Sequence, residues 1–335
     1  MIRSILAAVC AVLFAANLHA AGLDDLKAAK AAADQGSGDD AVRLFTSAIS
    51  AGDLSADDQF AARTGRAGQY SAQSLVADAF DRRDDGRRLR ENAIADFTAA
   101  LALKAGDAGV LTERGQDYHM NQQFDAAVAD FTAALQIDRS PGTLLQRASS
   151  LRAKGAYDDA IADCTAALGM EMRDGLEPMD IYNERGYTEF LGARYDAAAA
   201  DFDKALTLGA TARADDVLWL PYQIVWLHLA RARAGQKDLD QLQSLSEKVN
   251  LKQWPGTLVA YFLGQVQLTD VSGPSSHGMM GRARECNMSL FAGEDALAKG
   301  DHERASELIG RAHEMCSAHT FQALVASTEF DRLKK

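Results

Sequence analysis

Proline and aromatic residues are scarce in this chain: 5 of its 335 residues are proline, and Phe, Trp and Tyr together make up 7%. Proline is the strongest helix breaker, and alanine, which is abundant here, is the best helix former, so this composition predicts a helical protein. Basic residues are also outnumbered, since 35 Lys and Arg stand against 47 Asp and Glu, a formal net charge of -12. Such an acidic surface argues against nucleic acids and anionic membranes as partners.

Short catalytic and cofactor-binding motifs are missing from the sequence. It has no Gly-x-Ser-x-Gly, no His-Glu-x-x-His, no Cys-x-x-Cys and no glycine-rich phosphate loop that ends in Lys-Ser or Lys-Thr. Its many carboxylates fall at positions expected to face solvent on helices. We therefore expect neither an enzyme nor a bound cofactor.

Long apolar runs are confined to the N-terminus. Arg3 precedes the apolar segment Ile5–Ala16, and Leu18-His19-Ala20 forms a small-residue cleavage site, which predicts a signal peptide over residues 1–20. Cys10 follows Val9, where a lipid-attachment site would have a small residue, so we do not expect Cys10 to carry a lipid. No later stretch is apolar enough to cross a bilayer. We expect a protein exported to a periplasm, with no membrane insertion after cleavage.

One ten-residue pattern occurs four times in the chain. NAIADFTAAL, AAVADFTAAL, DAIADCTAAL and AAAADFDKAL follow one another at intervals of 34, 33 and 38 residues; they are Asn92–Leu101, Ala126–Leu135, Asp159–Leu168 and Ala197–Leu206. A period of this length is typical of stacked helical hairpins, in which no single repeat can bury its own apolar face. The repeats therefore predict an all-α solenoid.

The third repeat shows the pattern most clearly, with small residues where two helices must approach and rings beside them. Its pattern residues are Gly115, Tyr118, Ala127, Phe131 and Ala134. This series resembles the tetratricopeptide repeat (TPR). The resemblance implies helical hairpins in a right-handed superhelix, whose first helices line a groove that binds proteins or peptides.

Fainter copies extend the repeats over most of the chain. We expect a TPR array over residues 21–210, in which the second repeat, with Gly65 in its first helix, carries an insertion at 69–90 that forms an added helix. Residues 211–335 are expected to hold a degraded repeat, a connecting helix over Gly256–Leu268, a last repeat at 286–316 and a capping helix. This C-terminal third resembles the end of envelope adaptors of the new-lipoprotein-I family, although the chain lacks the lipid-attachment cysteine that the family name implies.

Groove positions follow from the TPR pattern. The candidates for partner contact are Thr112, Gln116, His119, Arg152, Asn183, Tyr187 and Phe190, and Leu145 and Ser149 hold the same pattern positions in the fourth repeat. A clamp for a peptide carboxylate needs several Lys, Arg or Asn, and only Arg152 and Asn183 qualify. A mixed polar and aromatic groove suits an extended or helical peptide better.

Three functions are compatible with these residues. The first is a periplasmic scaffold that binds a segment of another envelope protein in its groove. The second is a structural subunit of an envelope assembly that uses its outer face or C-terminal helix. The third is a metal-binding protein, whose ligands would come from His277, Met279, Met280, Cys286, Met288, His313, Met315, Cys316 and His319.

Three aromatic residues, Trp219, Tyr222 and Trp226, follow one another at helical spacing, which favours a role in the core over a role in a ligand site.

Three further structural predictions concern a disulfide, a set of ion pairs and the last helix. Cys286 and Cys316 lie at nearly equal distances on either side of a turn at Gly300, so we expect a disulfide worth about 3 kcal/mol, with Cys164 left free. Three intra-repeat ion pairs have the same 16-residue spacing: Arg114–Asp130, Arg147–Asp163 and Arg185–Asp201. The last helix, Phe321–Leu333, carries a second apolar stripe that predicts weak homodimerisation.

Overall fold

The computed structural model describes residues 21–173, 175–212, 219–269, 279–317 and 320–335, and these ranges are helical without a β-strand. The predicted signal peptide therefore lies outside the described residues. Of the helices in these ranges, none combines the length and apolar character needed to cross a bilayer. The chain forms two compact units, Met1–Ser150 (unit 1) and Leu151–Lys335 (unit 2).

Unit 1 consists of helical hairpins with short turns. Its helices are α1, described over 21–34, α2 (Gly38–Ala51), α3 (Ala56–Ala79), α4 (Arg83–Leu103), α5 (Ala108–Met120), α6 (Phe124–Ile137) and the larger part of α7 (Pro141–Ala153), which continues into unit 2.

Unit 2 continues the hairpin pattern and ends in a single helix. Its helices are α8 (Tyr157–Leu168), α9 (Pro178–Leu191), α10 (Tyr195–Ala212), α11 (Trp219–Arg233), α12 (Leu239–Ser246), α13 (Gly256–Phe262), α14 (Met279–Ala298), α15 (His302–Met315) and α16 (Phe321–Leu333).

Glycine permits the close helix contact that each clear repeat requires. A Cβ atom on Gly115 would lie 2.7 Å from the Phe131 ring, and one on Gly186 would lie 2.8 Å from the Phe202 ring. Both rings are buried. Because such distances are too short for any side chain, alanine at either glycine would force the two helices of its hairpin apart. The small-residue and aromatic positions predicted from the TPR pattern are therefore confirmed for these hairpins.

The insertion in the second repeat does not form the added helix that we expected. It lengthens the hairpin instead: α3 runs to Ala79 and α4 begins at Arg83. The two arms are 24 and 21 residues long, against 13 and 14 for α5 and α6. Helical propagation costs little once a helix exists, whereas a new helix must nucleate. The extra residues thus extend both arms beyond the neighbouring hairpin.

The structure also shifts the predicted register of the second repeat by two residues. Ala67, and not Gly65, packs with Ala93 and Phe97 in the hairpin core. Gly65 faces Phe45 of the preceding hairpin. A glycine is thus compatible with contacts on either side of its helix, and the sequence pattern alone did not distinguish them.

Two of the predicted ion pairs are present at the predicted spacing. Arg114 Nε lies 2.7 Å from Asp130 Oδ2, and Arg185 Nε lies 2.7 Å from Asp201 Oδ2. Each guanidinium makes a second bond to the other carboxylate oxygen, so both pairs are bidentate. The third predicted pair, Arg147–Asp163, has one residue in each unit and stays a prediction.

Equivalent arginines also connect consecutive hairpins through a threonine, which the sequence analysis did not predict. Arg114 Nη1 donates to Thr98 Oγ1 at 3.0 Å, and Arg185 Nη1 donates to Thr165 Oγ1 at 3.1 Å. Each threonine comes two residues after a buried aspartate in the second helix of the preceding hairpin. In both cases the threonine of an Asp-x-Thr sequence accepts a hydrogen bond from the arginine of the next hairpin.

The C-terminal part of unit 2 departs from the expected helices. The connecting helix α13 ends at Phe262, shorter than the predicted Gly256–Leu268, because Gly264 adopts a left-handed conformation (φ 70°) and ends it. The predicted disulfide is confirmed between Cys286 and Cys316, whose Cα atoms are 4.8 Å apart. Cys164 is a buried free thiol, as expected.

Helix α16 packs on both of its apolar stripes, which removes the reason for expecting a dimer. Val325 and Ala326, one from each stripe, are fully buried. Phe321, Leu324, Phe330 and Leu333 are half-buried against the same core. The second stripe is thus covered by the chain itself. Homodimerisation stays a prediction, now without the exposed surface that suggested it.

Candidate functional site

A cavity of about 290 Å³ lies on the face of unit 1 formed by the first helices of its hairpins, here called the first-helix face. Helix α3 contributes two serines and a leucine, and α5 contributes most of the remaining wall. The lining residues are Ser71, Ser74, Leu75, Gln116, Asp117, His119, Met120, Phe131, Gln146 and Ser149. The walls are thus mixed, with apolar side chains around several hydrogen-bonding groups.

Asp117 is the buried acid of this cavity. It is 4% exposed, and its Oδ2 accepts a hydrogen bond from Ser71 Oγ at 2.7 Å. Burial raises the pKa of Asp117 to about 6, although the Ser71 hydrogen bond and the charge of Arg90 act in the opposite direction. The charge of Glu113 raises this pKa further. The carboxylate is therefore poorly stabilised by its own surroundings.

Arg90 holds the extended hairpin against the end of α5. Its Nη1 donates to Asp78 Oδ2 and its Nε to Asn121 Oδ1, both at 2.6 Å, while its side chain is almost fully buried. A buried arginine needs such partners, because an uncompensated charge would be strongly destabilising. The insertion is thus anchored to α5 immediately beside the cavity.

Two further polar residues complete the cavity wall. Gln146 Oε1 is buried and has no hydrogen-bond partner among the described residues. His119 Nδ1 lies 2.8 Å from Ser150 Oγ, and the His119 ring meets the Phe124 ring edge-on. A buried acceptor without a partner costs free energy, so the Gln146 carbonyl is available for a donor supplied from outside.

Large apolar side chains are exposed at the end of the extended hairpin. Leu75, Val76 and Phe80 are 58%, 52% and 71% exposed, and Leu75 also lines the cavity. The charged residues that follow pair among themselves: Arg83 with Asp81 at 2.8 Å, Arg87 with Asp84, and Arg88 with Asp85. We call the three apolar residues the hairpin tip. Clustered exposed apolar side chains of this size indicate a contact surface.

In unit 2 the first-helix face is covered by α16. The Phe321 ring lies 4.3 Å from the ring of Tyr187 and 5.1 Å from that of Trp226, measured between centroids. The Arg152 guanidinium lies 4.9 Å from the same ring. Tyr187 belongs to α9 and Trp226 to α11, both first helices of hairpins. The C-terminal helix therefore occupies the position where a peptide ligand was expected.

A buried charge network holds the other end of α16. Arg233 pairs with Glu294 and lies 3.7 Å from Glu329 of α16. Arg332 pairs with Glu329 and donates to the backbone oxygen of Leu191. Burial and the neighbouring Glu329 raise the pKa of Glu294. These contacts tie α16 to α9, α11 and α14.

Only some of the predicted groove residues line the cavity of unit 1. In unit 1, Gln116, His119 and Ser149 line the cavity, whereas the Thr112 hydroxyl donates to the Ala108 carbonyl of its own helix. We expected Gln116 and His119 on a binding surface, and the cavity brings them together. The sequence analysis missed Asp117, Ser71, Leu75 and Gln146. Asp117 follows a predicted groove position directly, so that only the packing of α3 and α4 against α5 distinguishes it from a solvated acid.

In unit 2 the predicted contacts are mostly internal, which corrects the expectation. Phe190 is fully buried against Tyr195 and Trp226. Asn183 is buried as well, and Arg152 Nε lies 2.7 Å from Glu184 Oε1. Phe190 thus contacts core aromatic rings and Arg152 contacts a charge partner within the unit.

Tyr187 borders a second cavity, of about 370 Å³, with rings and amides around it. The other lining residues are Trp219, Tyr222, Gln223, Trp226, Phe321 and Gln322. Gln223 Nε2 donates to the Tyr187 hydroxyl at 3.2 Å, and burial raises the pKa of Tyr187 to about 12. Trp226 is a core residue as expected, and Trp219 and Tyr222 pack partly buried against the same core; all three also line this cavity.

The metal-binding alternative loses its two thiols to the disulfide. Cys286 and Cys316 bond each other, and His313 stacks on Phe330 with its Nδ1 3.1 Å from Ser327 Oγ. His277 and His319 lie outside the described residues. Within the described part of the chain, no group of three or more His, Cys, Asp or Glu is arranged to hold a metal ion.

Helical hairpins recur in both units, and a hairpin of each unit has a glycine against a buried ring; together these features define the class of this fold as a TPR solenoid. No family model and no curated protein matches the sequence. Among solved structures, the chain is similar to a tetratricopeptide repeat protein from Parabacteroides merdae, with a TM-score of 0.55 and 14% identity over 92% of this chain and 99% of that one.

Two other solved structures are similar at lower scores. One is the C-terminal part of a TPR repeat-containing protein from Cytophaga hutchinsonii, with a TM-score of 0.49 and 14% identity over 90% of this chain and 98% of that one. The other is PilW, described as a type IV pilus biogenesis factor, with a TM-score of 0.45 and 15% identity over 76% of this chain and 96% of that one. At these identities the similarity concerns the fold.

Proposed function

We propose that this protein is an exported scaffold that binds a segment of another protein on the first-helix face of unit 1. The observation that carries the proposal is the cavity on that face together with the exposed hairpin tip beside it. Leu75 belongs to both, so one bound segment can contact the apolar tip and the polar cavity at once. Segments of other proteins are commonly held in this way, with apolar anchors for affinity and polar groups for orientation.

The difference between the two units supports unit 1 as the binding unit. The equivalent face of unit 2 carries α16, whose Phe321 ring is packed against Tyr187 and Trp226. A partner that bound there would first have to displace a helix with a disulfide before it and buried charges along it. Unit 1 offers its apolar tip to solvent without such a cost.

Export to a periplasm belongs to the proposal and rests on the N-terminal sequence. Arg3, the apolar segment Ile5–Ala16 and Leu18-His19-Ala20 support it. N-terminal sequencing of the protein from fractionated cells is the test. We expect a chain that begins at or near Ala21; a soluble cytoplasmic chain that begins at Met1 would contradict export.

The binding proposal is tested by crosslinking and affinity purification of a tagged protein from its own cells. We compare the wild type with the double variant Leu75→Ser/Phe80→Ser, which makes the hairpin tip polar. Ile137→Ser and Leu239→Ser are the matched controls, because they remove apolar side chains that are 51% and 62% exposed outside the cavity and the tip.

We expect the tip variant to recover at least about tenfold less of the partner than either control does, since central apolar anchors dominate binding energies. Equal recovery from all four proteins would exclude the first-helix face of unit 1 as the binding surface. In that case the second function, an assembly subunit that uses its outer face or α16, becomes the better account.

A further inference from the structure

The cavity of unit 1 has the chemistry of a site for a positively charged side chain. We propose that it receives the end of a lysine or arginine from the bound segment, with the Asp117 carboxylate and Gln146 Oε1 as acceptors. This inference rests on the proposed function, because the basic residue belongs to the partner. It adds the chemical class of the residue that the partner must present.

The acceptors are the first argument. Asp117 is 4% exposed and receives a hydrogen bond from Ser71, while Gln146 Oε1 is buried without a hydrogen-bond partner in the part of the chain that the structure describes. Both residues line the same cavity, one from α5 and one from α7. A lysine ammonium has three donors and a guanidinium has five, so either has enough donors for both acceptors.

The absence of a resident cation is the second argument. Among the described residues, no lysine or arginine forms an ion pair within 4.0 Å of the Asp117 carboxylate. Arg90, whose charge acts on Asp117, pairs with Asp78 and bonds Asn121. A negative group that is buried without a counter-ion is costly to a folded protein. A cation from a partner would neutralise it.

The cavity walls are the third argument. Leu75, Met120 and Phe131 supply apolar surface around the two acceptors. Lysine and arginine have methylene stems that pack on such surface while their charged ends reach polar atoms. An anion would meet the Asp117 charge at close range, and a small neutral polar group would leave the apolar wall uncovered.

The titration of Asp117 agrees with this geometry. Its pKa is raised to about 6 by burial, and the groups that act on it are Ser71 from α3, Arg90 from α4, and Glu113 on its own helix. His119 lines the same cavity and bonds Ser150. A bound cation stabilises the carboxylate over the acid, so binding must lower the pKa of Asp117.

The test uses n-butylammonium as a lysine side-chain analogue with the full-length exported protein. The pKa of Asp117 is followed by ¹³C NMR of aspartate-labelled protein, with the signal assigned by its loss in Asp117→Asn. We expect saturating n-butylammonium to lower this pKa by at least one unit, which corresponds to at least tenfold tighter binding to the carboxylate than to the acid. Neither 1-butanol nor pentanoate should lower it.

Variants separate the site from general charge effects. Gln146→Leu should weaken n-butylammonium binding several-fold, because one acceptor is lost. Asp57→Asn is the matched control: it removes one exposed charge from α3, outside the cavity, and should leave both the pKa shift and the affinity unchanged. No shift with n-butylammonium, or an equal shift with 1-butanol, would overturn the proposal. An equal loss of binding in Asp57→Asn would also overturn it.

Partner recovery distinguishes this inference from the proposed function. If the tip variant loses the partner while Asp117→Asn recovers it as the wild type does, the proposed function stands and the basic side chain does not. If no variant changes partner recovery but n-butylammonium still lowers the pKa, the proposed function fails, and with it the assignment of the cation to a partner. Loss of the partner in both variants, with the pKa shift present, supports both.

Discussion

The two units are built from the same kind of hairpin, yet the first-helix face is covered in unit 2 and has a cavity in unit 1. In unit 2 the chain's own C-terminal helix covers the face, and Phe321 packs between Tyr187 and Trp226. In unit 1 the corresponding face has a cavity with a buried acid and an exposed apolar tip. The helix-to-helix contacts within a hairpin are therefore separable from the surface that the hairpin presents.

The interior of the hairpins is the part that the two units share. Gly115 and Phe131 of unit 1 make the contact that Gly186 and Phe202 make in unit 2. Close packing leaves little freedom at such positions, whereas a face that meets solvent, a ligand or another helix tolerates many residues. This explains how one array can contain a unit whose face is covered by its own chain and a unit whose face has a cavity beside exposed apolar side chains.

A charge in the buried side of α16 should destabilise unit 2 more than any other change considered below. Val325→Asp places a charge at a fully buried position of α16 and should lower the free energy of unfolding of unit 2 by about 3–5 kcal/mol. Trp219, Trp226 and Trp254, the three tryptophans of the chain, all lie in unit 2, so denaturation followed by tryptophan fluorescence reports on that unit alone. Lys335→Asp, an exposed change near the end of the chain, should have little effect. An unchanged fluorescence midpoint for Val325→Asp would mean that α16 does not stabilise unit 2.

Reduction of the disulfide should affect unit 2 almost as strongly. The bond between Cys286 and Cys316 closes a loop with a sequence separation of 30, for which the chain-entropy model gives about 3–4 kcal/mol. We expect the tryptophan-detected transition to move to lower denaturant in the presence of dithiothreitol. The double variant Cys286→Ala/Cys316→Ala should resemble the reduced protein and should not respond to the reductant. A response of that variant equal to the wild type would show that the reductant acts elsewhere.

In unit 1 the sharpest prediction concerns Asp117. Its pKa is about 6 in the folded state and near 3.8 in the unfolded state. The protonated Asp117 therefore contributes stability that is fully present below about pH 4 and is lost as the pH rises through about 6. Asp117→Asn keeps an acceptor for Ser71 without the charge, and should stabilise unit 1 at pH 8 by about 2–3 kcal/mol. Denaturation followed by circular dichroism at pH 5 and pH 8 measures the change. A variant no more stable than the wild type at pH 8 would contradict the assignment.

The smallest expected effect applies equally to both units. Thr98→Val and Thr165→Val each remove the hydroxyl that accepts from an arginine of the next hairpin, and each should cost about 0.5 kcal/mol. Thr98→Ser, which keeps the hydroxyl, should cost less. Equal losses in the two units would confirm that the links between hairpins are alike and that the units differ in their faces alone. A loss of stability in one unit only would show that the links between hairpins also differ between the units.

Local chemistry explains which features could be predicted from the sequence. A small residue opposite a ring, an arginine 16 residues before an aspartate, and two cysteines at equal distances from a turn each involve a single hairpin. The distances Gly115–Phe131, Arg114–Asp130 and Cys286–Cys316 confirm them. In an antiparallel hairpin the sequence distance to the turn sets which residues lie level, so the pattern alone contains the contact.

The remaining features depend on contacts between segments that are distant in the chain. The Phe321 ring lies against Tyr187, more than one hundred residues before it in the chain. Helix α16 thereby covers the first-helix face of unit 2. Asp117 is buried because an insertion lengthened α3 and α4, and Ser71 bonds it across 46 residues. The repeats in the sequence determined that this protein is a TPR solenoid, since each hairpin contains the small and large residues that pack its own two helices together. Only the tertiary structure decided which face is covered and where an acid becomes buried, because those outcomes depend on how separate hairpins and the tail fill the same space.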